Sequence, residues 1–305
     1  YRGSLRAPHE CHQRKISLIM YRPFVLLFVF FMVGCGSEAD TSIDPAAEEW
    51  IQLFDGESLN GWTPKITGYP YGENYAETFK VVDGAITVAY DGYEEFDGRF
   101  GHLFYETPFS HYLISVEYRF TGEQAPGGPG WAFRNSGIMV HSPPGASMLD
   151  GQDFPISIEV QLLGGNGTDD RTTANLCTPG THVEIEGNLV TRHCVNSTSK
   201  TYHGDDWVTA EVLVLGDSLI SHRLEGDVVL EYQHPQIGGG SVDSFDAAIK
   251  MDGQLLSSGY ISLQSESHPV EFRTVELLNL RGCTNSDALN YKSYFVSSDD
   301  SACTF

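Results

Sequence analysis

Positive charge is scarce in this chain. Its 305 residues hold 18 Lys and Arg against 41 Asp and Glu, a formal net charge of −23 with histidine neutral. Such a surface repels nucleic acid and anionic lipid, which both carry dense negative charge. It also argues against a heavily sulfated or uronate-rich polymer as substrate, although a local basic cleft can sit within acidic flanks. Long apolar runs are lacking too. The longest, residues 24–33 (FVLLFVFFMV), is too short to cross a bilayer as a helix. No helical periodicity longer than two turns occurs before Ser286.

Glycine (32) and aromatic residues (12%) are plentiful. Together they suit many short strands joined by tight turns. Residues 79–90 (FKVVDGAITVAY) place Asp83-Gly84 between two β-rich runs, a strong hairpin signal. Residues 112–120 (YLISVEYRF) alternate apolar and polar. Stretches 208–215, 219–224 and 228–232 continue the series, with Gly216-Asp217 and Gly226-Asp227 as turns, and 270–280 closes it. In 53–62 (LFDGESLNGW) two Gly turns precede Trp62, which reads as the cover of a core edge. The pattern predicts an all-β fold, a two-sheet antiparallel sandwich or jelly roll.

Three strands carry chemistry on one face. Residues 154–165 (FPISIEVQLLGG) put Ile156, Ile158, Val160 and Leu162 on one side and Ser157, Glu159 and Gln161 on the other. A carboxylate in mid-strand is unusual, since Glu is depleted there. Residues 135–141 (NSGIMVH) align Asn135, Gly137, Met139 and His141. Residues 260–268 (YISLQSESH) align Ser262, Gln264, Glu266 and His268. If the three are neighbours, their polar faces merge into one patch containing Glu159, Gln161, His141, Gln264 and His268. Closely spaced donors and acceptors on a concave sheet suit sugar hydroxyls. The plain alternative for each strand is a solvated polar face.

The N-terminal part reads differently. Residues 1–19 resemble nothing foldable and read as upstream sequence. From Met20 a short basic region, the apolar run and then Gly34-Cys35-Gly36-Ser37 make the pattern of a bacterial lipoprotein signal, with lipid on Cys35. The expected order is signal and extension over 1–34, an acidic tether over 35–48, a β-sandwich over 49–281 and a Cys-bounded tail over 282–305. This places the protein in the cell envelope, lipid-anchored, or secreted, touching a membrane only through that lipid.

Cysteine usage fits an oxidising compartment. Cys177 and Cys194 flank a loop-rich stretch, and Cys283 and Cys303 flank the tail. Bridges of those pairs would each close about 20 residues and stabilise by roughly 3 kcal/mol. A metal site joining the first pair to His182, His193 or His203 is the rival, but its spacing matches no common zinc pattern.

The segments LFDGESLNGW, RNSGIMVH, FPISIEVQLLGG, CTPGTHVEIEG, STSKTYHGDDWV and GYISLQSESHPVEFRTVELLNL, in this order, resemble the bacterial 3-keto-disaccharide hydrolase family over about residues 50–280. The resemblance implies a concanavalin-like fold and cleavage of glycosides already oxidised to a ketone at C3. That chemistry needs a base for the C2 proton, an acid for the leaving oxygen, and a polar group or a divalent metal ion facing the enolate. Glu159, His141 and His268 are the candidates for base, acid or ligand. Gln161, Gln264 and Asn135 would hold hydroxyls, Arg134 and Lys200 would supply positive charge, and Trp131 or Tyr202 would stack on sugar. His203 and Arg273 are weaker candidates; Arg273 can pair with Glu271 or Glu276 along its strand.

The resemblance leaves two rivals. One is an ordinary glycoside hydrolase, which needs two carboxylates. Only Glu159 is acidic at the alternating positions of its strand, so Glu266 would have to be the partner. The other is a carbohydrate-binding lipoprotein without catalysis. In each case the partner is an oligosaccharide or glycoside, not nucleic acid. The tail 282–305 resembles a small module at the ends of secreted bacterial proteins, with Ala302 where a Gly is usual.

Overall fold

The computed structural model describes residue 44 and residues 46–305. The signal-like segment, Cys35 and most of the tether lie outside the described residues. Among the described residues regular structure is all β, with only short 3-10 turns, as the turn spacing predicts.

Two antiparallel sheets face each other. The larger runs Asn188–Val190, Thr181–Ile185, Asp227–Ile237, Leu219–Leu224, Val208–Leu215, His111–Phe120, Val270–Asn279, Ala85–Val88, Phe79–Val82, and Trp50–Gln52 also pairs with Val270–Asn279. The smaller runs Cys194–Val195, Asn175–Cys177, Ile158–Leu163, Asn135–Ser142, Tyr260–Ser265, Gly101–Tyr105, Trp62–Ile66. Alternation along each strand explains the layering. Tyr112, Ile114, Val116 and Tyr118 of the large sheet meet Ile138, Val140, Ile158, Val160, Leu162, Ile261 and Leu263 of the small one, all fully buried or nearly so. The hairpin at Asp83-Gly84 forms as expected, with both residues at positive φ (50° and 79°). Trp62 is buried and its indole N–H donates to the Leu53 carbonyl at 2.7 Å.

The three chemistry-bearing strands are indeed neighbours. Met139 stands opposite Glu159, and Gly137 opposite Gln161. On the other side Ser262 stands opposite Met139. The alternation fails in two places. Tyr260 pairs with Ser142 while Ser262 pairs with Met139, so one strand carries an extra residue there. This bulge, with His141 at φ 58°, swings the His141 ring off the polar face. Its Nε2 donates to the Gly216 carbonyl at 3.0 Å, in a hairpin turn of the other sheet, and joins the two layers. The second failure is at Ser267, whose φ of 82° ends the alternation after Glu266.

The disulfides Cys177–Cys194 and Cys283–Cys303 are both formed. The tail adds a two-strand parallel pair, Arg281–Gly282 with Ser297–Ser298, and Lys292 in an ion pair with Glu49. Arg273 pairs with Glu117 on the neighbouring strand, and Glu271 with Arg119, so the partners lie across the sheet and not along one strand.

The bulge needs glycine opposite it. A Cβ at Gly259 would lie 2.5 Å from the His141 carbonyl carbon and 2.6 Å from the Ser142 oxygen. Gly259→Ala should therefore destabilise the protein by about 1–3 kcal/mol, the range for forced overpacking. Urea unfolding checks this; a midpoint unchanged from wild type would show that the bulge tolerates the methyl.

Candidate functional site

The polar face of the small sheet forms the floor of a cavity of about 410 Å³, within the range of small-ligand sites. Glu159 and Gln161 rise from one strand, Asn135 from the next, and Glu266 from just beyond the third. Trp131, Phe154 and Asp153 form one wall; the Cys177–Cys194 disulfide, His193 and residues 241–243 form the rest. Phe100 stacks against Trp131 (centroids 5.8 Å apart) and touches Phe154 (4.9 Å), so an aromatic shelf stands beside the carboxyls. Trp131 is 56% exposed, available to a ligand.

Gly137 makes room at the centre. A Cβ there would sit 2.9 Å from Glu159 Cγ and 3.0 Å from Gln264 Oε1. The absent side chain lets both neighbours lean together. Gln264 is fully buried with both amide atoms unpartnered, as are Asn135 Oδ1 and Glu266 Oε2. Buried polar atoms without partners are costly, and a ligand able to bond them would relieve that cost. Gln161 accepts a hydrogen bond from Asn175 Nδ2 at 3.2 Å, which turns its own N–H groups toward the cavity.

Desolvation dominates the electrostatics. Burial pushes the Glu159 carboxyl up to about 8, and raises Glu266 well above the carboxylate range, where the nearby Glu159 charge adds to the effect. The pair therefore keeps at least one proton near neutral pH. Arg171 opposes the Glu266 shift, but its guanidinium is committed at the strand ends to the Phe133, Arg134 and Gly164 carbonyls at 2.5, 3.2 and 2.8 Å.

Of the residues proposed from sequence, Glu159, Gln161, Asn135 and Trp131 share the cavity, and Gln264 adjoins Glu159 across Gly137. The others do not join them. His141 is diverted by its bulge. His268 lies between Phe120 and Phe133 (5.9 and 5.0 Å), with burial and the Arg134 charge holding its pKa down to about 4. Arg134 is bound to Asp205 at 2.7 Å, and Lys200 lies over the Tyr202 ring at 4.8 Å on another surface. His203 accepts from the Gly167 N–H at 3.0 Å. Sequence reasoning missed Phe154, Asp153, Asp243 and Arg171. They sit outside the strands whose alternation gave the signal.

Among the described residues, one trio of potential metal ligands lies within 4.8 Å: Cys177, His193 and Cys194. The disulfide takes both sulfurs, so this trio is no metal site.

The family model of the 3-keto-alpha-glucoside-1,2-lyase-like domain matches residues 49–278. The chain belongs to this family. Membership supports a carbohydrate-active function. No curated protein matches the chain in sequence. Among solved structures it is similar to a candidate glycosyl hydrolase from Parabacteroides distasonis (16% identity, TM-score 0.47, covering 76% of this chain and 94% of that one). It is also similar to the laminarin-oligosaccharide-bound LamA of Zobellia galactanivorans (10%, 0.44, 77% and 99%) and to the Bacillus licheniformis β-glucanase (9%, 0.41, 77% and 99%). These likenesses are too distant to bear on chemistry. Within the family domain, Glu159 and Glu266 are the acids on the cavity floor, and Asp153 and Asp243 stand at its side.

A carboxyl whose native pKa is raised binds its proton more tightly when folded. Its contribution is full below the ordinary 4.5 and is lost as pH climbs to about 8. Glu159→Gln should therefore be more stable than wild type at neutral pH, by a margin that grows from acid to pH 8. Thermal melts across that range check it; parallel curves for the two proteins would contradict the burial argument.

Proposed function

We propose that the protein cleaves 3-keto-glycosides by elimination, with Glu159 as base and Glu266 as acid. The observation that carries this is the carboxyl pair on the cavity floor, desolvated and sharing protons, in a chain of this family. Once one member of the pair ionises, its charge holds the proton on the other, and the proposal assigns the ionised role to Glu159.

The steps balance. Ionised Glu159 takes the C2 proton, and the C–H electron pair passes into C2=C3 while the C3 ketone becomes an enolate. The enolate pair returns to the carbonyl, C1=C2 forms, and the C1–O bond breaks. The departing oxygen takes the proton of Glu266. Water then adds across C1=C2: Glu266, now a carboxylate, accepts the water proton as its oxygen bonds C1, and Glu159, having exchanged its proton with solvent, protonates C2. The sum is hydrolysis with both acids restored. Amide N–H groups of Gln161 serve the enolate oxygen, since among the described residues no lysine or arginine lines the cavity. The Trp131–Phe100–Phe154 shelf offers an apolar face for the sugar ring.

An ordinary glycoside hydrolase remains the second reading, because the Glu159–Glu266 pair supplies the two carboxyls it needs. The family match supports the first.

The two are separated by incubating 3-keto and unmodified disaccharides side by side in D2O. The proposal expects cleavage of the 3-keto sugar alone, with deuterium at C2 of the product. Glu159→Gln and Glu266→Gln should each lower kcat by roughly 10²–10⁴-fold. Cleavage of the unmodified sugar alone would support the ordinary hydrolase, and binding without cleavage of either would leave a carbohydrate-binding protein.

The pattern at residues 20–37 supports an envelope location with lipid on Cys35. Labelling cells with a tagged fatty acid should mark the wild type and not Cys35→Ser.

A further inference from the structure

The cavity is lopsided in charge. Its ionisable lining comprises Asp153, Glu159, Asp243, Glu266 and His193, with no lysine or arginine. His193 does not offset the acids, because desolvation lowers its pKa and leaves the ring neutral at pH 7. Arg171 partly offsets Glu266, but it is bound to backbone carbonyls at the strand ends and is not in the cavity lining.

The hydrogen-bonding inventory leans the same way. Asn135 is 2% exposed and Glu266 3% exposed, and each leaves one side-chain oxygen unpartnered beside the cavity. The Asn135 amide oxygen can only accept, so it needs a donor from the ligand. At the side wall Asp153 Oδ1 accepts from the Phe154 and Asp243 N–H groups, each at 2.8 Å. Those two bonds fix the Asp153 carboxylate next to Asp243, whose like charge it feels. The wall thus holds two carboxylates side by side, with the exposed Asp243 at the rim.

We infer that this cavity selects glycosides bearing an amine, accepts neutral ones less well, and rejects those bearing a carboxylate or sulfate. The ammonium group brings three donors and a positive charge to a wall that holds the Asp153 and Asp243 carboxylates. A uronate brings the opposite and stays desolvated without a partner. The inference rests on the proposed function only in taking the cavity as the sugar site.

Binding tests it without turnover. Unoxidised disaccharides carrying a glucosamine, a glucose or a glucuronate unit are titrated calorimetrically into the wild-type protein at low and high salt. Expected is a preference of roughly tenfold for the amine over the neutral sugar at low salt, with the glucuronate weaker again by a similar factor. Both differences should shrink with salt, because screening acts on the charge and not on the hydroxyl contacts. Asp243→Asn, which removes one rim charge, and Asp153→Asn, which keeps the Oδ1 acceptor, should each narrow the amine preference. Equal affinities, salt-independent differences or a preference for the glucuronate would overturn the inference alone, provided the 3-keto disaccharide is still cleaved. Binding of none of the three, with no cleavage, would overturn it together with the reading of the cavity as a sugar site.

Discussion

Removal of two carboxyl groups from water is the constraint on which this structure turns. A carboxylate buried without a cation is costly enough that it keeps its proton instead. Glu159 and Glu266 are in that condition on a sheet face where Asn135 and Gln264 also leave polar atoms unpartnered. The fold must supply enough apolar contact elsewhere to hold them there, and the interdigitated layers of Tyr, Ile, Val and Leu between the sheets supply it. The reward is a pair of proton-carrying groups poised near neutrality, one able to accept while the other donates. The surrounding amides finish the arrangement without introducing a competing charge.

The frame around the pair shows the same economy. Gly137 contributes by having no side chain, since any Cβ would collide with Glu159 and Gln264. His141, which the alternation places on the floor, instead joins the layers through Gly216. Arg171 does not reach the ligand side; it gathers the ends of two strands through their carbonyls and leaves a positive charge under Glu266. One imidazole and one guanidinium that look catalytic by residue type thus hold geometry.

Much of this was legible in the residues. Period-two alternation locates the strands and their apolar faces, and it correctly sets Glu159, Gln161, Asn135 and Gln264 on one surface. It fails where a single residue breaks the period. The bulge at His141 and the positive φ of Ser267 are backbone events that no side-chain pattern announces. Arg134 and Lys200 mislead for another reason: their partners, Asp205 and Tyr202, are supplied by folded loops, and a charge in sequence does not show which partner captures it. The walls were illegible altogether. Phe154, Asp153 and Asp243 come from connections whose path depends on packing, not on periodicity.

The order of strands in the smaller sheet has a further consequence. Its outermost strands are Cys194–Val195, two residues long and tied by a disulfide, and Trp62–Ile66, which contains Pro64 and so lacks one ladder donor. Short, cross-linked or proline-bearing borders are poor templates for another chain's backbone. The layer that carries the acids is therefore closed to growth at both flanks. Crowding copies together would not readily add a foreign strand to it, which protects this protein from fibrillar self-association without any covering helix.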